Sequence, residues 1–488
     1  MRTALLGSAA TLAVVALLTG CTTAGEAKPD PVTLTMYHID GDLALDPAAD
    51  WFIEAVSELS KGRITVDVTS ECCGDVIDME EQLVASVADG GADLGWVGTR
   101  VFGDLGVTAL EPLTAPFMVD SYELQAAVIT SPPADAALAA LETLGVVPIA
   151  LEPGMLRRPL SATKPLHAPA DWAGLTIGSF HSSQNAESFI ALGAEPVDVT
   201  FEQRNDGVFD GSIQALENSV LMLRSDRARL LPYVTANVVL WPRTSAIIGN
   251  EAALDLLGTS GRAILDEAAA LVAQRTDDLI EIDADAVEKA CEQGARFSDA
   301  TAGQLAELEA AFAGIHNGLR NDAATGDLYA AVVALKSSVP AEPRLEVAAN
   351  CTGQPPERDS AVSGGDVAVL NGSYRSAAYT VEFLTANGFT ADEAEGVAGT
   401  FTFIFDDGAF ELVHDWHGGE TFGCVGTYSV GADRLTVNYD PNGDCGPGGE
   451  LFNANFSVTQ TQLVLQDIDS PHEADAFLFT SQPFTRVQ

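Results

Sequence analysis

The feature that most constrains the fold is an alternation of strand-like and helix-like segments that begins at Val32. Val32-Thr-Leu-Thr-Met-Tyr37 has the composition of a strand, and Asp46 to Leu59 places Trp51, Phe52, Ala55, Val56 and Leu59 on one helical face before Gly62-Arg63 closes it. Ile64-Thr-Val-Asp-Val68 alternates as a second strand, and Met79 to Ala88 reads as a second helix ended by Asp89-Gly90-Gly91. Ala92-Asp-Leu-Gly-Trp-Val97 reads as a third strand. Repeated strand–helix–strand units predict a parallel sheet covered by helices, with ligands bound beyond the carboxyl ends of its strands. From Ala252 to about Leu335 the signals are helical, with Leu254, Leu257, Ile264 and Leu271 periodically placed.

The pattern then changes. Ala341 to Asp366 contains Pro343, Gly353, Pro355, Pro356, Gly364 and Gly365, and reads as an exposed linker at 340–366. Beyond it, apolar runs are separated by short polar turns. Gly399 to Phe405 pairs across Asp406-Asp407-Gly408 with Phe410 to Val413, Gly426 to Val430 across Gly431 with Leu435 to Tyr439, and Asn455 to Val458 with Leu463 to Leu465. This antiparallel meander, within a domain at 367–488, is expected to close as a barrel or pack as a sandwich, since open edges invite aggregation. A short helix is expected at Asp392 to Ala398. The expected organisation is therefore an α/β body at 32–339 and a β-rich, barrel-like C-terminal domain. At 488 residues the chain exceeds one ordinary core, which agrees with two bodies.

The first 31 residues read as export and anchoring. Arg2 precedes an apolar run from Ala4 to Leu18, too short for a comfortable transmembrane helix and suited to a signal peptide at 1–20. Leu18-Thr19-Gly20-Cys21 resembles the bacterial lipobox, which implies cleavage before Cys21 and lipidation of that residue. Residues 21–31 then form a tether, and the protein is expected at the extracytoplasmic face of the cell membrane. In that oxidising setting the six remaining cysteines are disulfide candidates: Cys424 with Cys445, Cys291 with Cys351, and the adjacent Cys72 and Cys73, which could each bond elsewhere.

Composition excludes some partners. With 24 Lys+Arg against 70 Asp+Glu, a net charge of −46 argues against nucleic acid or an anionic bilayer as an electrostatic partner. Beyond residue 370 the basic residues are Arg375, Arg434 and Arg486, so that region is acidic in its own right. No nucleophile elbow, phosphate-binding loop or zinc signature occurs, and no cofactor, metal site or catalytic residue is assigned.

From about 32 to 337 the chain resembles the solute-binding proteins of TRAP transporters, the dicarboxylate-binding-protein family. The matches run in family order: Val56 to Arg63, Gly74 before the Met79-Glu80 helix, Gly90-Gly-Ala-Asp93, and Ala115-Pro-Phe-Met118. Ala170-Asp-Trp-Ala-Gly-Leu-Thr-Ile177, Ala191 to Val197 and Gly207-Val-Phe-Asp-Gly211 follow. The resemblance implies a two-lobe, periplasmic-binding-protein-like fold with a hinge, closing on a small organic solute that a membrane permease then receives. It also implies an arginine clamp on a carboxylate. Where the family carries its most characteristic arginine this chain has Gly178, so the site is rebuilt. Arg158 matches a second family position, and Arg100 follows the third strand. Phe180, Trp241 and Trp96 are candidates for an aromatic lining, Gln214 occupies a matched polar position, and His38 ends the first strand. Asn371-Gly-Ser-Tyr374 and the later Gly-x-aromatic starts resemble lipocalin-like small barrels, which implies either a second apolar-ligand pocket or docking to other surface parts, beside the plainer reading of a solvated spacer or interaction module. Two other readings stay open: an anchored sensor, scavenger or protein-interaction module without a dedicated transporter, or the binding component of an ATP-driven importer.

Overall fold

The computed structural model describes residues 31–40, 43–224, 227–339, 345, 347–355, 370–416, 421–431, 434–440, 449–458, 462–470 and 473–487. The signal segment, Cys21 and most of the tether lie outside these residues, as do Cys445 and much of the expected linker.

The first lobe is built on a five-stranded sheet ordered Ile64–Thr69, Val32–Tyr37, Leu94–Gly98, Ser245–Gly249, Val147–Glu152. Its first three strands are parallel, as the alternation predicts. Ser245–Gly249 runs antiparallel to both neighbours, so the sheet is mixed. The reason is topological: this strand enters directly from the second lobe without a crossover helix. Helix Pro47–Ser60 starts with proline at its first position, buries Phe52 and Val56 against the sheet, and ends through left-handed Lys61.

The second lobe has a sheet ordered Arg296–Ser298, Tyr233–Thr235, Leu156–Ser161, Ala215–Asn218, Thr176–Ser179, Glu195–Asp198, with Trp241–Pro242 paired to Leu156–Ser161. Helices from the region after Ala252 serve both lobes. Leu254 and Leu265 of Glu251–Val272 enter the first lobe's core, and Leu279, Val287 and Ala290 of Thr276–Glu292 enter the second's.

Cys291 and Cys351 are joined by a disulfide with Cα atoms 5.3 Å apart. Cys351 is buried, and Leu345 and Val347 pack on the same core, so this part of the expected linker is tied to the second lobe at those residues, while Ala348 to Asn350 and Thr352 to Gln354 are exposed. Cys72 and Cys73 are thiols with their sulfurs 2.9 Å apart, not disulfide partners. Cys424 is disulfide-bonded.

The C-terminal meander closes as an eight-stranded barrel. The three expected hairpins supply six strands. Gly372–Arg375 completes the ring by pairing with both Gly399–Asp406 and Phe484–Val487. Closure removes the edges that an open meander would expose. The interior is filled by side chains: Phe403 is 0% exposed, and Leu478 and Phe479 of helix Glu473–Thr480 pack on the same core. Among the described residues, aromatic side chains pack together inside the barrel.

Candidate ligand-binding cleft

The chain crosses between the lobes at two adjacent places. Val147–Glu152 passes through Gly154 into Leu156–Ser161, and Trp241–Pro242 returns through Arg243 into Ser245–Gly249. The crossings lie against each other, with the Arg243 amide donating to the Met155 carbonyl at 2.9 Å. A Cβ on residue 154 would sit 1.9 Å from the Arg243 carbonyl oxygen, so only glycine permits this approach.

Beside this hinge lies a small cleft, part of it open to solvent. Asp40 and Leu45 come from the first lobe, beyond the carboxyl end of its first strand. Arg157, Asn218, Ser219 and Met222 come from the second lobe, as do Phe180, Phe201 and Arg204. The hinge contributes Met155 and Arg243. Phe180 and Phe201 meet edge to face at 4.7 Å, and the Arg204 guanidinium lies 4.8 Å and 5.2 Å from their ring centres.

The cleft's charges are tied into pairs. Arg157 reaches Glu217 Oε2 at 3.1 Å. Arg243 reaches Asp40 at 2.5 Å and Asp46 at 3.3 Å. Burial by itself would raise the Asp40 carboxyl, but the Arg243 guanidinium outweighs it and holds the pKa down at about 2. Burial disfavours the charge on Arg243 too, yet Asp40 and Asp46 hold that guanidinium firmly protonated. Arg157 is pulled below the ordinary arginine value, mainly by burial. Behind these pairs Glu152 is fully buried, and burial followed by the Asp46 charge pushes its carboxyl well up, toward the neutral form. His38, Asp40 and Asp46 offer ligand atoms all within 4.8 Å of one another, the spacing of a cation site, and Arg243 already brings positive charge to both carboxylates.

The structure redistributes the residues singled out from sequence. Phe180 lines the cleft. Arg158 points to the opposite face of its strand, where it is 1% exposed and pairs with Asp283 at 3.0 Å. Side chains alternate along a strand, so the neighbouring Arg157 takes the cleft face. Arg100 is paired with Glu80 and stacks 5.4 Å over Phe180, supporting that ring without lining the cleft. Trp96 is core and donates to Asp46 at 2.9 Å. Trp241 is core, packed 5.7 Å from Phe189. Gln214 bridges to Thr176, whose amide donates to its side chain at 3.2 Å. His38 is fully buried behind the cleft, where its Nδ1 accepts from the Asp40 amide at 3.0 Å.

At residue 178 a Cβ would lie 2.9 Å from Ile213 Cδ1 and 3.1 Å from Leu216 Cδ2. The space beside Gly178 is thus closed by apolar side chains. Sequence reasoning missed Arg243, Arg204, Asp40 and Phe201. The one signal for the arginines is their rarity, since every basic residue is conspicuous in so acidic a chain.

Contacts across the seam hold the lobes together. Asp75 of the first lobe accepts from Thr200 Oγ1 at 2.6 Å and from the Phe201 amide at 2.8 Å, at the start of helix Phe201–Asp210. Gln184 donates to the Glu111 carbonyl at 2.9 Å, and the Ser183 amide to Asp104 at 3.0 Å.

Two lobes on crossing strands, with a charged cleft beside the hinge, are the architecture of a binding protein. Residues 42–321 match the family model described as bacterial extracellular solute-binding protein, family 7 (DctP), and the chain belongs to that family. The family is one of solute-binding proteins, not enzymes. Among solved structures, the chain is similar to the sugar acid binding protein DctPAm of Advenella mimigardefordensis strain DPN7T in complex with galactonate. The identity is 18% and the TM-score 0.56, covering 64% of this chain and 99% of that one. A TRAP periplasmic solute-binding protein of Polaromonas sp JS666 bound to D-erythronate is 18% identical with TM-score 0.54, covering 62% and 99%. The uncharacterised protein y4mM of Sinorhizobium fredii (strain NBRC 101917 / NGR234) is 25% identical over 198 residues, 40% of this chain and 36% of that protein. The chain thus spans about a third of that relative's length.

Proposed function

We propose that this is an exported, lipid-anchored binding protein that captures a small organic acid between its lobes and hands it to a membrane permease. The observation that carries the reading is the cleft's cationic lining: Arg157, Arg204 and Arg243 converge there in a chain with 24 basic residues. Guanidinium groups pair both oxygens of a carboxylate, and burial strengthens that pairing. Galactonate and D-erythronate in the similar structures are themselves acids, which supports the class. Anchoring rests on the lipobox-like Leu18 to Cys21, and delivery to a permease rests on the family.

Closure follows from the geometry. Rotation about the crossing strands brings Asp75 to Thr200 and Phe201, and Asp40 to Arg243. A bound anion adds contacts available only when the lobes are closed, which shifts the population toward that state.

Thermal-shift and calorimetric titration of the mature chain with organic acids tests this. Acids should raise the melting temperature in a concentration-dependent way. Arg157→Gln should weaken them by roughly 10- to 100-fold, the range expected for one charge-assisted pair. Arg158→Gln should instead lower the melting temperature of the unliganded protein, because it leaves Asp283 buried without its cation. Binding of neutral sugars without acids, or acid binding indifferent to Arg157, would overturn the reading.

A further inference from the structure

We propose that the cleft selects a carboxylate with an apolar body, an aryl or branched-chain acid, over a polyhydroxy sugar acid. This rests on the organic-acid reading above and narrows it.

The cleft has two unlike portions. The charged portion is Arg157 and Arg243, each partly committed to a carboxylate of the protein, together with Arg204, whose guanidinium lies against Phe180 and Phe201. The Arg243 Nε is buried and has no hydrogen-bond partner among the described residues. The rest is largely apolar: Phe180 and Phe201 in edge contact, with Leu45, Met155 and Met222.

The uncharged hydrogen-bonding groups of the lining are Asn218 and Ser219, and Asn218 is already engaged. Its amide nitrogen lies 2.9 Å from Met222 Sδ, and its oxygen accepts from the Ser219 amide at 2.8 Å. Asp40 is held by Arg243, and its amide donates to His38 Nδ1. A sugar acid brings several hydroxyls into this space, and each one buried without a partner costs about 1–3 kcal/mol. An aromatic or branched body carries no such groups and gains from the rings and methionines.

The test is calorimetry on the purified mature chain with phenylacetate and 4-methyl-2-oxopentanoate against D-glucuronate and D-galactonate, with phenylacetamide as the uncharged control. The apolar-bodied acids should bind at least about ten-fold more tightly than the sugar acids, as expected when one or more hydroxyls go unpaired. Phenylacetamide should bind at least about ten-fold more weakly than phenylacetate, having lost the charge-assisted pair. Met222→Gln, which adds an amide to the lining, should shift the ratio toward the sugar acids. The wild-type ratio decides even if that variant folds poorly. Sugar acids binding as tightly as or more tightly than the others would overturn this inference while leaving the organic-acid reading standing. Phenylacetamide matching phenylacetate, or no acid binding at all, would overturn both.

Discussion

In the C-terminal barrel, Phe403 is fully buried and meets five other phenylalanine rings with centroids no more than 6.1 Å away. In the cleft, Phe180 and Phe201 meet each other, and arginines lie against both rings. The same residue type serves solidity in one place and a lined space in the other. What differs is the surrounding architecture. A small closed barrel turns alternate residues of every strand onto one axis, and these fill its interior. Two sheets joined by a hinge leave a gap between their edges, where charged groups from distant segments can meet. The barrel is therefore read as a rigid appendage, and ligand chemistry is assigned to the cleft.

Phe403→Ala should produce the largest effect, destabilising the barrel by about 3–5 kcal/mol while acid affinity stays unchanged. Calorimetric melting with a parallel ligand titration checks this, and a simultaneous loss of affinity would break the division between the two regions. Asp75→Ala should leave barrel melting alone and weaken ligand binding roughly five-fold, about 1 kcal/mol, by removing the cap on helix Phe201–Asp210 across the seam. Unchanged affinity would mean that this contact does not report on closure.

The smallest effect concerns pH. His181 lies 2.8 Å from Asp198 in its own lobe and 3.8 Å from Glu81 across the seam. Burial lowers its pKa, but Asp198, Asp104 and Glu81 outweigh burial and raise it above the ordinary 6.5. Asp198 stays beside His181 in either state, so only the part of the shift due to Asp104 and Glu81 favours closure; protonated His181 supplies it at low pH, and it is lost as pH rises through the raised value. Acid affinity should decline modestly over that window, and His181→Gln should flatten the slope. A slope that survives the substitution would assign it to another group.

Much of the fold was legible from short-range pattern. The helix at Pro47–Ser60, the strand at Ile64–Thr69 and the hairpins after Gly399 all follow from periodicity and turn residues. The direction of Ser245–Gly249 was not legible, because it depends on where the chain re-enters the first sheet. The cleft was legible only in part. Phe180 follows a strand end and lines it, whereas Arg158 and Arg157 are adjacent in sequence and nothing local says which faces the ligand. Trp96 and Trp241 carry the same aromatic signal as Phe180 and turn out to be core.

By itself the sequence determined the order of elements, the division into an α/β body and a β meander, the acidity of the surface and the absence of the family's arginine at 178. These are properties of neighbouring residues and of composition. Tertiary structure decided the rest. Strand register turned Arg158 inward to Asp283 and Arg157 toward the cleft. The second hinge crossing carried Arg243 to Asp40, about 200 residues away in the chain. Barrel closure turned a series of hairpins into an aromatic core. Each outcome depends on pairing between segments far apart in sequence, where long-range geometry overrides the local signal.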